Sequence, residues 1–258
     1  MWLPEKRHEE ILALLGEEGT VKTSDLKDRM NVSFETVRRD LEYLESTGQL
    51  RRTHGGAVPV GFGEYRAGYL PFQQRGREHV AQKAEVAQLA LQYIVEGQSL
   101  ALDSGTTSLK LAELLKTRFS RLTVVTNSLW VANELADASG FTVIVTGGVL
   151  QPDEHSFTSD LATLIFPNLT INTFFLTTCG VTVEQGVTYQ RVDEIAVQNK
   201  MMEVSDRTIL IADSSKLGVN SLFRMCGLEK IHLIITDSGV TPQQLEAFEK
   251  LRVPVVHP

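Results

Sequence analysis

Cysteine is almost missing from this chain. There are two, Cys179 and Cys226, far apart and without metal-ligand spacing. That excludes a disulfide framework and a cysteine-based metal site, and it fits a compartment that keeps thiols reduced. Long apolar runs are missing too: none approaches the length that crosses a bilayer. Lys6-Arg7 are not followed by the apolar core of a signal peptide. A cytoplasmic protein with no membrane partner is expected. An excess of positive charge is also absent. The net charge of −7 argues against nonspecific coating of nucleic acid. No internal repeat, low-complexity tract, cofactor motif or metal-ligand cluster stands out, so neither cofactor nor metal is expected.

What is present is ordinary in bulk and uneven in detail. With 258 residues, 42% of them hydrophobic and 22% charged, the chain can hold a small domain and a larger one with a sizeable core. Basic residues are paired locally, at Arg38/Arg39 and Arg51/Arg52, within a segment otherwise rich in glutamate. Pro4 suits a helix start, and Ile11, Leu12, Leu14 and Leu15 give that helix a buried side. Thr23-Ser24-Asp25 offers a capped start for a second, short helix running to Met30. Val37, Leu41 and Leu44 then recur at i, i+4 and i+7, the buried face of a third helix with Ser33 as N-cap and Gly48 as its stop. Thr36, Arg38 and Arg39 fall off that stripe. Residues turn by about 100° along a helix, so neighbouring arginines divide between a base edge and a phosphate. Glu35 can accept from a cytosine amino group or pair with Arg39 one turn on. Leu50 to Val58, with Arg51, Arg52 and His54 before a Gly-Gly turn, reads as a basic hairpin beside that helix.

Residues 59–76 carry Gly61, Gly63, Gly68 and Pro71 and read as a linker. After it, Val80, Ala84, Ala87, Leu91 and Ile94 predict an amphipathic helix, with Lys83 beside the stripe as a solvated lysine or a phosphate partner. From Ser99 onward, short apolar runs alternate with helical stretches, the pattern of an α/β domain with a mostly parallel sheet. The strands are expected near 99–102, 122–125, 141–146, 173–177, 208–212 and 232–236. Helices are expected near 109–115, 129–136, 160–166, 192–204 and 242–251. Ligands of such sheets bind beyond the carboxyl ends of the strands. Polar motifs stand there: Asp103-Ser104-Gly105-Thr106-Thr107, Thr126-Asn127-Ser128, Thr146-Gly147-Gly148 and Asp213-Ser214-Ser215-Lys216. A glycine with hydroxyls at a helix start suits a phosphate, although Asp, Ser and Thr are also ordinary caps.

Val32-Ser33, Thr36-Val37-Arg38-Arg39-Asp40-Leu41, Leu44-Glu45, Gly48 and Arg52-Thr53-His54-Gly55-Gly56-Ala57 resemble the winged helix-turn-helix of the DeoR family of transcription regulators. Lys83, the 103–107 and 126–128 motifs, Gly147-Gly148, Gly180, Gly186, Glu194, Met201, Ala212-Asp213, Ser215-Lys216 and Thr236-Asp237 resemble its sensor domain, which is similar in fold to ribose-5-phosphate isomerase. The resemblance implies a winged helix-turn-helix over 1–58, a linker over 59–76 and an α/β sensor over 77–258. It also implies a repressor that binds double-stranded operator DNA, responds to a phosphorylated sugar and forms a homodimer or homotetramer. DNA contacts then fall to Ser33, Glu35, Thr36, Arg38, Arg39, Arg51, Arg52 and His54. Ser104, Gly105, Thr106 and Thr107 with Lys216 would hold the phosphate, and Asp103, Asn127, Gly148 and Glu194 the sugar hydroxyls. Asn172, where the family usually has Asp, and Gln198, where a basic residue is common, depart from its pattern.

An enzyme is the other reading: a sugar-phosphate isomerase with a DNA-binding appendage. It needs a placed acid and base. Thr173 to Gly180 carries no carboxylate, and Glu194 is either a base or part of an acidic first helical turn. A regulator without catalysis is expected.

Overall fold

The computed structural model describes residues 3–18, 21–53, 55–59, 69–249 and 253–258. The chain divides into two compact units, Met1–Leu70 and Pro71–Pro258.

The first unit runs α1 (Pro4–Glu18), β1 (Val21–Lys22), α2 (Thr23–Met30), α3 (Phe34–Ser46), β2 (Leu50–Thr53) and β3 (Gly56–Pro59). Its core is the apolar face read from the sequence: Ile11, Leu14 and Leu15 of α1, Leu26 and Met30 of α2, and Val37, Leu41 and Leu44 of α3. Ser33 caps α3 by accepting from the Thr36 amide at 3.1 Å. Gly48 ends it at φ +71°, its N–H reaching Glu45 O while the Gln49 N–H reaches Leu44 O. That pair of bonds is the Schellman closure, and it needs a left-handed residue. The hairpin is a three-stranded antiparallel sheet in the order β1-β3-β2, because Val21 and Lys22 add a strand not foreseen. The same strand alters the start of α2. Lys22, already paired with Gly56, takes the N-cap position without a side-chain cap, and the Ser24 hydroxyl turns to Asp25.

The second unit opens with α4 (Phe72–Arg77), which falls inside the span read as a linker; residues 60–68 of that span lie outside the described residues. Then come α5 (Val80–Ala90), β4 (Ser99–Leu102), α6 (Thr106–Arg118), β5 (Thr123–Thr126), α7 (Leu129–Leu135) and β6 (Thr142–Val145). A small hairpin follows, β7 (Val149–Gln151) and β8 (Ser156–Thr158), and then β9 (Ile171–Leu176). The chain closes with β10 (Gly180–Thr182), β11 (Gly186–Tyr189), α8 (Val192–Glu203), β12 (Ser205–Ile211), β13 (Phe223–Cys226), β14 (Leu233–Ile235), α9 (Pro242–Glu249) and β15 (Val255–Val256).

Seven strands form one parallel sheet in the order β15-β14-β12-β9-β4-β5-β6. Its central strands are buried on both faces between two apolar clusters, as continuous apolar strands require. The fold is therefore a winged helix-turn-helix followed by an α/β unit. Two expectations are corrected. Val80 is 45% exposed, and the buried face of α5 is Lys83, Val86, Ala87 and Ala90. The helix expected at 160–166 is a pair of 3-10 turns, Asp160–Thr163 and Phe166–Asn168; Pro167 disfavours α geometry at the residue before it.

Candidate functional site

The exposed side of α3 carries its charges as a network. Glu35 accepts from Arg38 at 3.1 Å and from Arg39 at 3.3 Å, and Arg38 also lies 3.6 Å from Glu42. The carboxylate thus holds both arginines on the surface while leaving them more than half exposed. Ser33 and Thr36 share a hydroxyl contact at 2.9 Å. Arg52 of β2 turns back to this helix: its guanidinium is 2.7 Å from Glu42 and its amide donates to Glu45. The Arg51 side chain and all of His54 lie outside the described residues. Asp40 is buried on the opposite side, where Arg7 of α1 donates to both its oxygens at 2.6 and 2.8 Å and His8 lies at 3.1 Å.

In the second unit the polar motifs stand at the carboxyl ends of β4, β5, β6 and β12, as expected. Asp103 is fully buried and fully engaged. One oxygen accepts from the Gly105 amide and the Ser108 hydroxyl. The other faces Thr177 N and Oγ1, Tyr189 OH and Gln198 Nε2. Expected as a sugar contact, Asp103 is a hub joining β4, β9, β11 and α8, with no lone pair left over. Gly105 belongs to the same joint: a Cβ there would lie 2.1 Å from Thr177 Oγ1. Gly105 gives α6 no side-chain cap, so its first-turn amides are claimed by no side chain among the described residues. Ser104 and Thr107 are buried beside them, and Thr106 is half-buried.

Lys216 is presented by a braced turn. Asp213 accepts from Ser215 N and Oγ, Asp237 from Ser214 N and Oγ, and Gln244 Nε2 donates to Ser214 O and Leu217 O. Among the described residues no carboxylate pairs with the Lys216 ammonium. It lies near enough to Lys83 to help push that amine down, although burial is the larger cause; Lys83 falls to about 8. Lys83 is not solvated. It donates to Glu78 O at 2.8 Å and to Arg75 O, fastening the end of α4.

Glu194 opens α8 almost out of water, accepting from Ser156 Oγ at 3.1 Å. Burial and the neighbouring Glu154 raise it to about 7, against the pull of Arg75 and Arg191. Glu154 is itself buried and paired with Arg75. Asn127 donates to Phe157 O of β8 at 3.2 Å, while its buried Oδ1 has no partner among the described residues. Gly148 is exposed at φ +106°, and a Cβ on it would lie 2.5 Å from Thr158 O and 2.8 Å from Ala162 Cβ. Cys179 sits among these groups, sensing Arg75, Glu194 and Lys216, and burial pushes its thiol up to about 11. It is a neutral packing residue at ordinary pH. Among the described residues no cluster of three metal-ligating side chains occurs, and no helix is long and apolar enough to cross a membrane.

Residues 7–60 match the family model of the DeoR-like helix-turn-helix domain, and residues 78–238 match that of the DeoR C terminal sensor domain. The chain belongs to the DeoR family. A putative aga operon transcriptional repressor of Escherichia coli O157:H7 is 32% identical over 97% of this chain and 93% of its own. An L-fucose operon activator of Haemophilus influenzae is 33% identical, with 94% and 95% covered. Among solved structures, ribose 5-phosphate isomerase A of Methanocaldococcus jannaschii aligns at 11% identity over 52% of each chain, with a TM-score of 0.38. The DeoR-family relatives that share the chain's whole length are transcription regulators, and this chain is a DNA-binding regulator and not an enzyme.

Sequence reasoning on this DeoR-family chain passed over Arg75, Glu154, Tyr189 and Thr177. Arg75 was hidden in a stretch read as linker, and its partner Glu154 sits in a hairpin loop with no periodicity. Gln198, noted as a departure, has a readable place: its Nε2 reaches Asp103 at 3.3 Å, and its buried Oε1 has no partner among the described residues.

Proposed function

We propose that this DeoR-family regulator represses carbohydrate metabolism genes and that a phosphorylated sugar, bound at the carboxyl ends of the parallel strands, sets its affinity for operator DNA. The observation that carries this reading is the pair of anion-seeking features on β4 and β12. The start of α6, without a side-chain cap, follows β4, and the Lys216 ammonium, on a braced turn and paired with no carboxylate among the described residues, follows β12. One strand, β9, separates them, a gap of about 10 Å at the usual strand spacing. A phosphate fits the helix start with Ser104, Gly105, Thr106 and Thr107, and Lys216 neutralises it. Asn127 Oδ1, the Gly148 backbone and Glu194 are left for sugar hydroxyls, and Asp103 holds the frame. The L-fucose and aga operon regulators lend the carbohydrate role its support.

DNA is read by α3, with Arg38 and Arg39 as base or phosphate contacts and Ser33, Glu35 and Thr36 beside them; Arg51, Arg52 and His54 serve the wing. Operators of two-fold symmetry pair with dimers, so a homodimer or homotetramer is the working unit. The effector acts only through different affinity for the DNA-bound and free states, and release is the expected direction. The test is operator binding with each candidate sugar phosphate present and absent. One ester weakening binding at least tenfold in the wild type, and not in Lys216→Ala, is the expected result. Equal loss in both proteins would remove Lys216 from the effector site.

A further inference from the structure

Phe34 is the first residue of α3 and is 56% exposed. On spacing alone it belongs to the buried stripe, three residues before Val37 and seven before Leu41. The fold leaves it outside: Phe34 is not among the residues of this unit's core, whereas Val37 and Leu41 are. Nor does it serve the start of the helix: Ser33 caps α3, and Val32, not Phe34, packs on the core just before it. Its ring is nonetheless held in place. The Lys27 ammonium of α2 lies over it, 5.3 Å from the centroid.

Its surroundings are polar and occupied. Ser33 bonds Thr36, and Glu35 bonds Arg38 and Arg39. The ring is the one large apolar surface on the first turn of the helix. In a helix-turn-helix the first residues of the recognition helix meet base edges in the major groove. The apolar group displayed there is the C5 methyl of thymine, for which a phenyl ring is a suitable contact.

We infer that Phe34 is a specificity-determining residue of this regulator, its ring packing on a thymine methyl group in the major groove. This rests on DNA reading by α3. Lys27, above the ring, is placed to meet the adjoining phosphate, since the helix before the recognition helix crosses the backbone. Phe34 thus selects a base, while Lys27 adds affinity of no particular sequence.

The experiment starts from a duplex selected out of a random pool by the purified full-length protein. Each thymine is then replaced in turn by uracil, which differs only in lacking the methyl group. Wild type, Phe34→Ala and Phe34→Leu are compared, with thermal melting to confirm that each is folded. At one position or more, uracil should weaken wild type about fourfold, the value of one buried methyl group. At that position Phe34→Ala should bind the thymine and uracil duplexes equally, and Phe34→Leu should keep part of the preference. Wild-type indifference to uracil everywhere would overturn the inference. So would a Phe34→Ala protein with the wild-type thymine preference at every sensitive position. Failure to select any duplex would instead overturn DNA reading itself.

Discussion

Glu194 shows how one residue ties the sensor unit to pH. Its carboxyl is kept from water, faces Glu154 and Asp193, and is only partly compensated by Arg75 and Arg191. The folded value is about 7, against 4.5 for the free group. A carboxyl raised by folding binds its proton more tightly in the native state. Its contribution to stability is therefore full below 4.5 and is lost as pH rises through 7. Glu194→Gln should remain folded and lose that slope, so it gains on the wild type between pH 5 and pH 7.5 in urea melts. Parallel profiles for the two proteins would contradict the assignment. The raised value was not legible in the sequence, where Glu194 read as a base or as part of an acidic first turn, and by resemblance as a sugar contact. The same holds for Lys83, read as a solvated lysine or a phosphate partner and found buried. Burial of a charged side chain is decided by distant contacts, here Arg75 and Glu154, from a segment read as a linker and from a hairpin loop.

The three helices and the hairpin of the first unit were legible because local signals agreed, although β1 and the start of α2 were not. Periodicity located α3, and Ser33 and Gly48 bounded it. What spacing could not give is the anchor that holds α3 against α1. Asp40 faces inward, clasped by Arg7 and His8, although an aspartate in a helix reads first as solvent-exposed. Removing one member of a buried pair leaves the other charge uncompensated and costs about 3 kcal/mol or more. Asp40→Ala should speed amide exchange across 34–46 about a hundredfold. Unchanged exchange would show that the apolar face alone fixes the helix. In the second unit the two-residue parallel edge strand β15 escaped notice, and so did β7, β8, β10, β11 and β13. These last five are short and antiparallel, and Gly and Thr punctuate them; β9, β12 and β14, buried on both faces, announced themselves as apolar runs.

At the scale of the whole molecule, two units carry two tasks: DNA reading in one and effector recognition in the other. The strand-end rule pointed from sequence to the proposed effector site, and Asp103, Asn127, Gly148 and Lys216 all follow strands of the parallel sheet. It could not say which of them is spent within the protein. Asp103 is; among the described residues, Lys216 and the α6 start are not. The proposed anionic effector is most directly tested by thermal melting of the full chain against sugar phosphates, each beside its unphosphorylated sugar. A ligand of the native state stabilises by about 2.7 kcal/mol at a hundred times its dissociation constant, which is a rise of roughly 5–10 °C for a unit of this size. The expected result is such a rise with one phosphate ester, none with its parent sugar, and none in Lys216→Ala. An equal rise with the parent sugar, or a full rise in Lys216→Ala, would contradict phosphate recognition at this site.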